Sequence, residues 1–180
     1  MNKAEIRSYM KVKRLNINTE FIHKASAIIN NKFMREFSNF DSFAIYWEIN
    51  GEVKTSDLIN ILLQKGKTIY SPVYKKNSIG FGLYNESNVL IKKNGAKEPV
   101  KITELSNVDI IVVPGLSFAR EGFRVGYGSG FYDRVLKNMK TKYRVGFAYD
   151  FQILDKIPVD PYDEPVDVVI SEINTYRRMQ

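Results

Sequence analysis

The apolar positions of the chain follow helical spacing at its start and alternate between strand and helix signals from residue 42 onward. From residue 3 to about 15, strong helix formers run without Gly or Pro, which predicts a helix. A second helix is expected after Asn18 or Thr19 as N-cap, with Phe21, Ile22, Ala25, Ile28, Ile29 and Phe33 at helical spacing. Residues 42–47 (SFAIYW) are rich in β-branched and aromatic residues and precede the turn pair Asn50-Gly51, so they read as a strand. Thr55 or Ser56 can cap a helix carrying Leu58, Ile59, Ile61, Leu62 and Leu63, ended by Gly66, and residues 68–73 (TIYSPV) supply the next strand. This is a βαβ unit, whose strands normally run parallel under a covering helix.

Residues 75–103 differ: 80–84 (GFGLY) read as a strand, and the Asn, Lys and Gly around them indicate loops. The unbroken apolar run 109–113 (DIIVV) is a buried strand closed by Pro114-Gly115, and 145–149 and 166–170 read as two more. With a helix expected from near Gly130, the alternation predicts an α/β fold. A chain of 180 residues suits a single three-layer domain, residues 1–180, with a mostly parallel central sheet flanked by helices.

Composition narrows the chemistry. The absence of Cys excludes disulfide scaffolds, Cys-ligated zinc, iron-sulfur clusters and thiol nucleophiles. The single His, His23, lies among polar neighbours on the second helix and reads as a surface residue, so a Ser-His triad has no support. No apolar run approaches the roughly 20 residues of a membrane span, and the start MNKAEIRSYMKVKR has no apolar signal region. A soluble cytoplasmic protein, not membrane-bound, is the expectation.

The net charge of +7 is concentrated at one end: residues 1–35 hold eight Lys or Arg against Glu5 and Glu20. On the first helix Lys3, Arg7, Lys11 and Arg14 fall within a stripe about 80° wide, at about 100° per residue. Such a stripe is commonly a solvated face, and it equally suits nucleic acid, an anionic surface or a small polyanion such as a nucleotide.

The segment PGLSFAREGFRVGYGSGFYDR, residues 114–134, lies between the strand at 109–113 and the expected helix, and holds Gly122, Gly126, Gly128 and Gly130. A strand, a glycine-rich loop and a helix N-terminus cradle phosphate, because Gly lets backbone N–H groups approach and the helix dipole favours negative charge. Arg124 and Arg134 add positive charge, and Asp133 could hold a magnesium ion between phosphate oxygens. The spacing is neither the dinucleotide fingerprint nor the P-loop, and alternate glycines also suit a tight connection. The strand before, the helix after and the flanking arginines favour the anion site.

These residues resemble the 5-formyltetrahydrofolate cyclo-ligase family, also called 5,10-methenyltetrahydrofolate synthetases. The family pattern is met by Pro114, Gly115, Phe118, Gly122, Arg124, Val125, Gly126, Gly128, Gly130, Phe131, Tyr132, Asp133 and Arg134. The resemblance extends, in family order, to Lys3, Arg7 and Arg14, to Asn50-Gly51-Glu52-Val53, to Gly66-Lys67 leading into Pro72, and to Gly95, Glu98 and Pro99. It continues through 148–152 (AYDFQ) to Pro158-Val159, Asp163, Asp167 and Glu172. Ser129 and Phe131 replace the commoner Gly and Tyr, and Ala96-Lys97 replaces an apolar-Pro pair.

The resemblance implies an enzyme that uses Mg-ATP to convert 5-formyltetrahydrofolate into 5,10-methenyltetrahydrofolate, with ADP and phosphate as products. The formyl oxygen is phosphorylated, N10 attacks the activated carbon, and phosphate leaves. Both reacting atoms belong to substrates, so positioning and charge stabilisation are the protein's task. Carried over residue by residue, Lys3 and Arg7 bind nucleotide phosphates and Arg124 with them forms the catalytic cations. Gly126, Tyr127, Gly128, Ser129, Gly130, Phe131, Tyr132 and Arg134 complete the ATP cradle, and Asp133 with Asp163 holds Mg2+. Trp47 and Glu52 hold the folate, by apolar contact and by accepting pterin N–H hydrogen bonds, with Tyr127, Gly128 and Phe131 lining the pocket. On their own, Trp47 reads as a core aromatic and Glu52 as an exposed turn carboxylate. The substrate is small and in some forms polyglutamylated, and a monomer is expected. Another ATP-dependent kinase or ligase is the nearest alternative. A basic nucleic-acid-binding module is the other, although no recognised motif appears and the 11 Tyr and 11 Phe are spread as core aromatics would be.

Overall fold

A computed structural model describes residues 1–75 and 78–179. Helix α1 (Lys3–Leu15) starts in a reciprocal cap, with Glu5 N–H donating to Asn2 Oδ1 at 2.9 Å and Asn2 N–H to Glu5 Oε2 at 2.8 Å. Helix α2 (Thr19–Phe37) is capped by Asn18, which accepts from Phe21 N–H at 2.7 Å. Then come β1 (Ser42–Ala44), α3 (Ser56–Gln64), β2 (Thr68–Lys75), β3 (Ser78–Leu83), β4 (Val89–Ile91) and β5 (Lys97–Pro99). The second half holds β6 (Asn107–Val113), β7 (Ser117–Ala119), β8 (Arg124–Val125), α4 (Phe131–Asn138), β9 (Lys140–Phe147), β10 (Ile153–Leu154), β11 (Val168–Ile170) and β12 (Thr175–Arg177).

Seven strands form the central sheet in the order β12-β11-β9-β6-β1-β2-β3. The five from β11 to β2 run parallel, and β12 and β3 close the edges antiparallel. Successive side chains of a strand face opposite sides. Ile110 and Val112 of β6 therefore join the core with α2 and α3, whereas Ile111 and Val113 join the core with α4. Burial on both faces explains why 109–113 reads as an unbroken apolar run. A third apolar cluster seats Ile6 and Met10 of α1 against Leu116, Ala119 and Val125. Since α3 follows β1 on one face and α4 follows β6 on the other, the winding reverses between these adjacent strands. A crevice forms there, beyond the strand carboxyl ends, the usual ligand position in open α/β sheets.

The mostly parallel α/β sheet expected from the sequence is the observed fold, with several differences in detail. Strand β1 ends at Ala44 rather than at Trp47: Ile45 N–H still donates to Tyr70 O of β2 at 2.8 Å, and beyond it Tyr46 and Glu48 bond to the start of α3 instead. The Thr55 hydroxyl donates to Tyr46 O at 2.6 Å, and the Glu48 carboxylate accepts the backbone N–H groups of Thr55 and Ser56, both at 3.1 Å. Thr55, one of the two residues expected to cap α3, holds the N-cap position, but its side chain makes no cap hydrogen bond and Glu48 supplies it instead. Strand β9 begins at Lys140, where its polar KTKYR half pairs with β6 and carries no apolar signal. Ile28 and Ile61, read as part of apolar faces, are exposed. The stretch 75–103 holds β3 and the β4–β5 ribbon; Lys76 and Asn77 within it lie outside the described residues. His23 is exposed on α2, as expected.

Candidate active site

A cavity of about 800 Å3 occupies the crevice. Tyr46 and Trp47 reach it from the segment that follows β1, Pro72 and Tyr74 from β2, and Pro114 from just beyond β6, while α1 and the loop between β8 and α4 close it. Every residue expected at the site lines this cavity: Lys3, Arg7, Trp47, Glu52, Arg124, residues 126–134 and Asp163.

The loop is tied to α1, whose basic stripe faces inward along most of its length. Arg7 Nε donates to Gly126 O at 3.0 Å, and Arg14 is buried. Lys11 is exposed, with its ammonium 5.7 Å from the Tyr127 ring centroid. Gly130 takes a left-handed φ of +63° to start α4, where Arg134 Nη1 donates to Ser129 O at 3.0 Å. Phe131 and Tyr132 turn toward the core, Phe131 stacking on Phe81 at 5.9 Å between centroids. Burial pushes the Tyr132 phenol well above its ordinary value.

Opposite charges are paired across the cavity wall. Lys3 Nζ lies 2.5 Å from Asp163 and 2.7 Å from Asp160, joining α1 to the turn that follows β10. Burial draws the Lys3 ammonium down, but these carboxylates outweigh it and leave it above its ordinary range. Arg124 Nη2 donates to Asp133 Oδ1 at 2.8 Å, and burial lowers Arg124 despite that partner. Among the described residues no group of three or more His, Cys, Asp or Glu gathers into a metal cage. Two acidic side chains bordering one cavity beside cations suit a magnesium ion that arrives with phosphate oxygens and takes one or two carboxylates. The donor set fits.

Glu52 departs from the exposed turn carboxylate its local sequence suggested: it is 6% exposed. Its Oε2 accepts Ile49 N–H at 3.0 Å, its Oε1 accepts the Tyr127 hydroxyl at 3.3 Å, and Arg14 Nη2 stands 3.8 Å away. Burial raises the carboxyl to about 7, with Arg14 the main opposing influence. Trp47 is half-buried, stacked on Tyr84 at 5.7 Å and covered by Lys97 Nζ at 5.4 Å.

Sequence reasoning missed Asp160, Tyr162, Lys92 and Lys97, all of which line the cavity. Asp160 lies three residues from Asp163 and shares its lysine, a pairing visible only once α1 is docked. Lys92 and Lys97 come from the β4–β5 region, where the chain carries no strong periodic signal.

Residues 1–172 match the 5-formyltetrahydrofolate cyclo-ligase family. The chain is 33% identical to the 5-formyltetrahydrofolate cyclo-ligase of Escherichia coli (strain K12) over 139 residues, covering 71% of this chain and 76% of that protein. It is 29% identical to the enzyme of the same name from Haemophilus influenzae over 183 residues, covering 94% and 97%. The NMR structure of Aquifex aeolicus 5,10-methenyltetrahydrofolate synthetase superposes with a TM-score of 0.87 at 34% identity, covering 100% of this chain and 94% of that one. A 5,10-methenyltetrahydrofolate synthetase from Mycoplasma pneumoniae shares the fold, with a TM-score of 0.75 at 22% identity.

Proposed function

Because the chain belongs to the 5-formyltetrahydrofolate cyclo-ligase family, and so converts 5-formyltetrahydrofolate into 5,10-methenyltetrahydrofolate, we propose that it does this at the expense of ATP with Mg2+ in the cavity described above. The observation that carries the reading is the convergence, in one cavity of about 800 Å3, of the phosphate-type cations of α1 and β8, the glycine loop, and the Glu52 and Trp47 side chains.

In this reading Lys3, Arg7 and Arg124 neutralise charge on the nucleotide phosphates while residues 126–132 and Arg134 supply backbone and side-chain donors around them. Asp133 and Asp163 would hold Mg2+, whose charge would offset that of the nucleotide phosphates. Glu52 accepts hydrogen bonds from the pterin, and Trp47, Tyr127 and Phe131 give it apolar contact. The formyl oxygen takes the phosphoryl group of ATP with release of ADP, N10 attacks the activated carbon and gives up its proton, and phosphate leaves with the former formyl oxygen, so the protein aligns two substrates and needs no covalent nucleophile.

The reading extends to a single domain over residues 1–180, acting as a cytoplasmic monomer on a small folate, polyglutamylated or not, and not on nucleic acid or membrane. Among the described residues no helix is long and apolar enough to cross a membrane. The test is appearance of the methenyl product's absorbance on mixing protein, Mg2+, ATP and 5-formyltetrahydrofolate. ATP consumption on another acceptor, with no methenyl product, would favour a different ATP-dependent kinase or ligase.

A further inference from the structure

Arg14 has no role in the assignments above, yet it ties together three segments that wall the cavity. It is 2% exposed. Its Nε donates to Asn50 O at 2.9 Å in the turn after β1, and its Nη1 to Gly115 O at 3.3 Å after β6. Its Nη2 donates to the Tyr127 hydroxyl of the glycine loop and stands 3.8 Å from Glu52 Oε1. A planar guanidinium can serve four partners in fixed directions, which an ammonium cannot.

We propose that Arg14 is a positioning residue for folate recognition, holding the Glu52 carboxylate and the Tyr127 hydroxyl in one arrangement so that the pterin meets an oriented, negatively charged acceptor. The proposal rests on the reading of Glu52 as a folate contact. A buried carboxylate without a nearby cation takes up a proton and turns from acceptor into donor. Arg14 is the cation whose field opposes that change at Glu52. The other groups facing Glu52 work with it or against it. Ile49 N–H and the Tyr127 hydroxyl favour the anion, and Glu48 disfavours it. Tyr149 donates its hydroxyl to the Glu52 carbonyl at 3.0 Å, fixing the backbone. The phenols of Tyr46, Tyr74 and Tyr132 are all raised and stay neutral near pH 7.

The experiment measures KM for 5-formyltetrahydrofolate and for ATP, and the pH profile of kcat/KM for the folate, in Arg14→Gln, Arg14→Lys, Tyr127→Phe and Glu52→Gln proteins. Arg14→Gln is expected to raise the folate KM about 10-fold or more, to leave the ATP KM within about twofold, and to move the acid limb to higher pH. Arg14→Lys should return the acid limb toward its original position while the folate KM stays raised, because charge is restored without the fork. If Arg14→Gln does not fold, Arg14→Lys carries the test by raising the folate KM while the ATP KM stays within about twofold, and Tyr127→Phe should raise the folate KM as well. An unchanged folate KM in folded Arg14 variants while Glu52→Gln raises it, or an equal rise for both substrates, overturns the proposal. An unchanged folate KM in Glu52→Gln overturns the reading of Glu52 itself, and the proposal with it.

Discussion

The Arg124 guanidinium is held between the Asp133 carboxylate, 2.8 Å from Nη2, and the Glu164 carbonyl, 2.7 Å from Nη1. Glu164 N–H also donates to Asp133 Oδ1, at 3.2 Å. A buried cation fixed on two sides does not have to reorganise when charge develops near it, which is the condition for effective electrostatic stabilisation. Arg124→Ala is therefore expected to lower turnover about 10²-fold or more. Single-turnover kinetics on a folded variant check this, and near-normal turnover would remove Arg124 from the site.

The same pairing separates the two acidic residues. Asp133→Asn is expected to cut activity strongly and also to lower the thermal midpoint of the ligand-free protein, because buried Arg124 loses its counter-charge. Asp163→Asn is expected to raise the Mg2+ concentration needed for half-maximal rate. Its ligand-free stability should change less, since Lys3 keeps Asp160. Magnesium titrations and thermal melts of both variants decide the point.

Glu52 links stability to pH. Its carboxyl rises from 4.5 to about 7 on folding, so between those values the native state binds more protons than the unfolded state. Stability then falls as pH rises from about 4.5 to 7, by on the order of 3 kcal/mol if Glu52 acts alone. Glu52→Gln should flatten that part of the profile. Urea unfolding at pH 5, 6 and 7 measures it, and an unchanged slope would exclude Glu52 as the source.

Two glycines of the loop segment should respond in opposite ways. At Gly122, with φ of +89°, an added Cβ would lie 2.1 Å from the Val166 carbonyl oxygen, so Gly122→Ala is expected to destabilise the protein by at least about 3 kcal/mol. At Gly126 an added Cβ meets nothing within 4 Å. Gly126→Ala should keep the thermal midpoint and raise the ATP KM, because the methyl group enters the cavity. Melting curves and ATP kinetics on the pair distinguish a structural glycine from one at the ligand.

The legible parts of the chain were those whose signals are local. Helix α1 announces itself by an unbroken run of helix formers, α2 by apolar spacing and its Asn18 cap, α3 by apolar spacing, and β6 by an apolar run. The site was legible chiefly through the glycine segment 114–134, where a short span carries turn, charge and helix-start signals together. Strands β4, β5, β7, β8, β10 and β12 gave no comparable signal, being two or three residues long. Such short strands owe their existence to partners far along the chain.

Taken alone, the amino-acid sequence determined the α/β class, the positive charge of α1 and the family resemblance, because each follows from the order and spacing of neighbouring residues. It left open whether the stripe of Lys3, Arg7 and Arg14 was a solvated face and whether Glu52 was an exposed turn residue. Only the tertiary structure decided those, by docking α1 over β7 and β8 and closing the Asn50-Gly51 turn against it. The physical reason is that burial and charge pairing depend on distance in space. Arg14 and Glu52, or Lys3 and Asp163, become partners only where the sheet's winding reverses and the chain's two halves share one cavity.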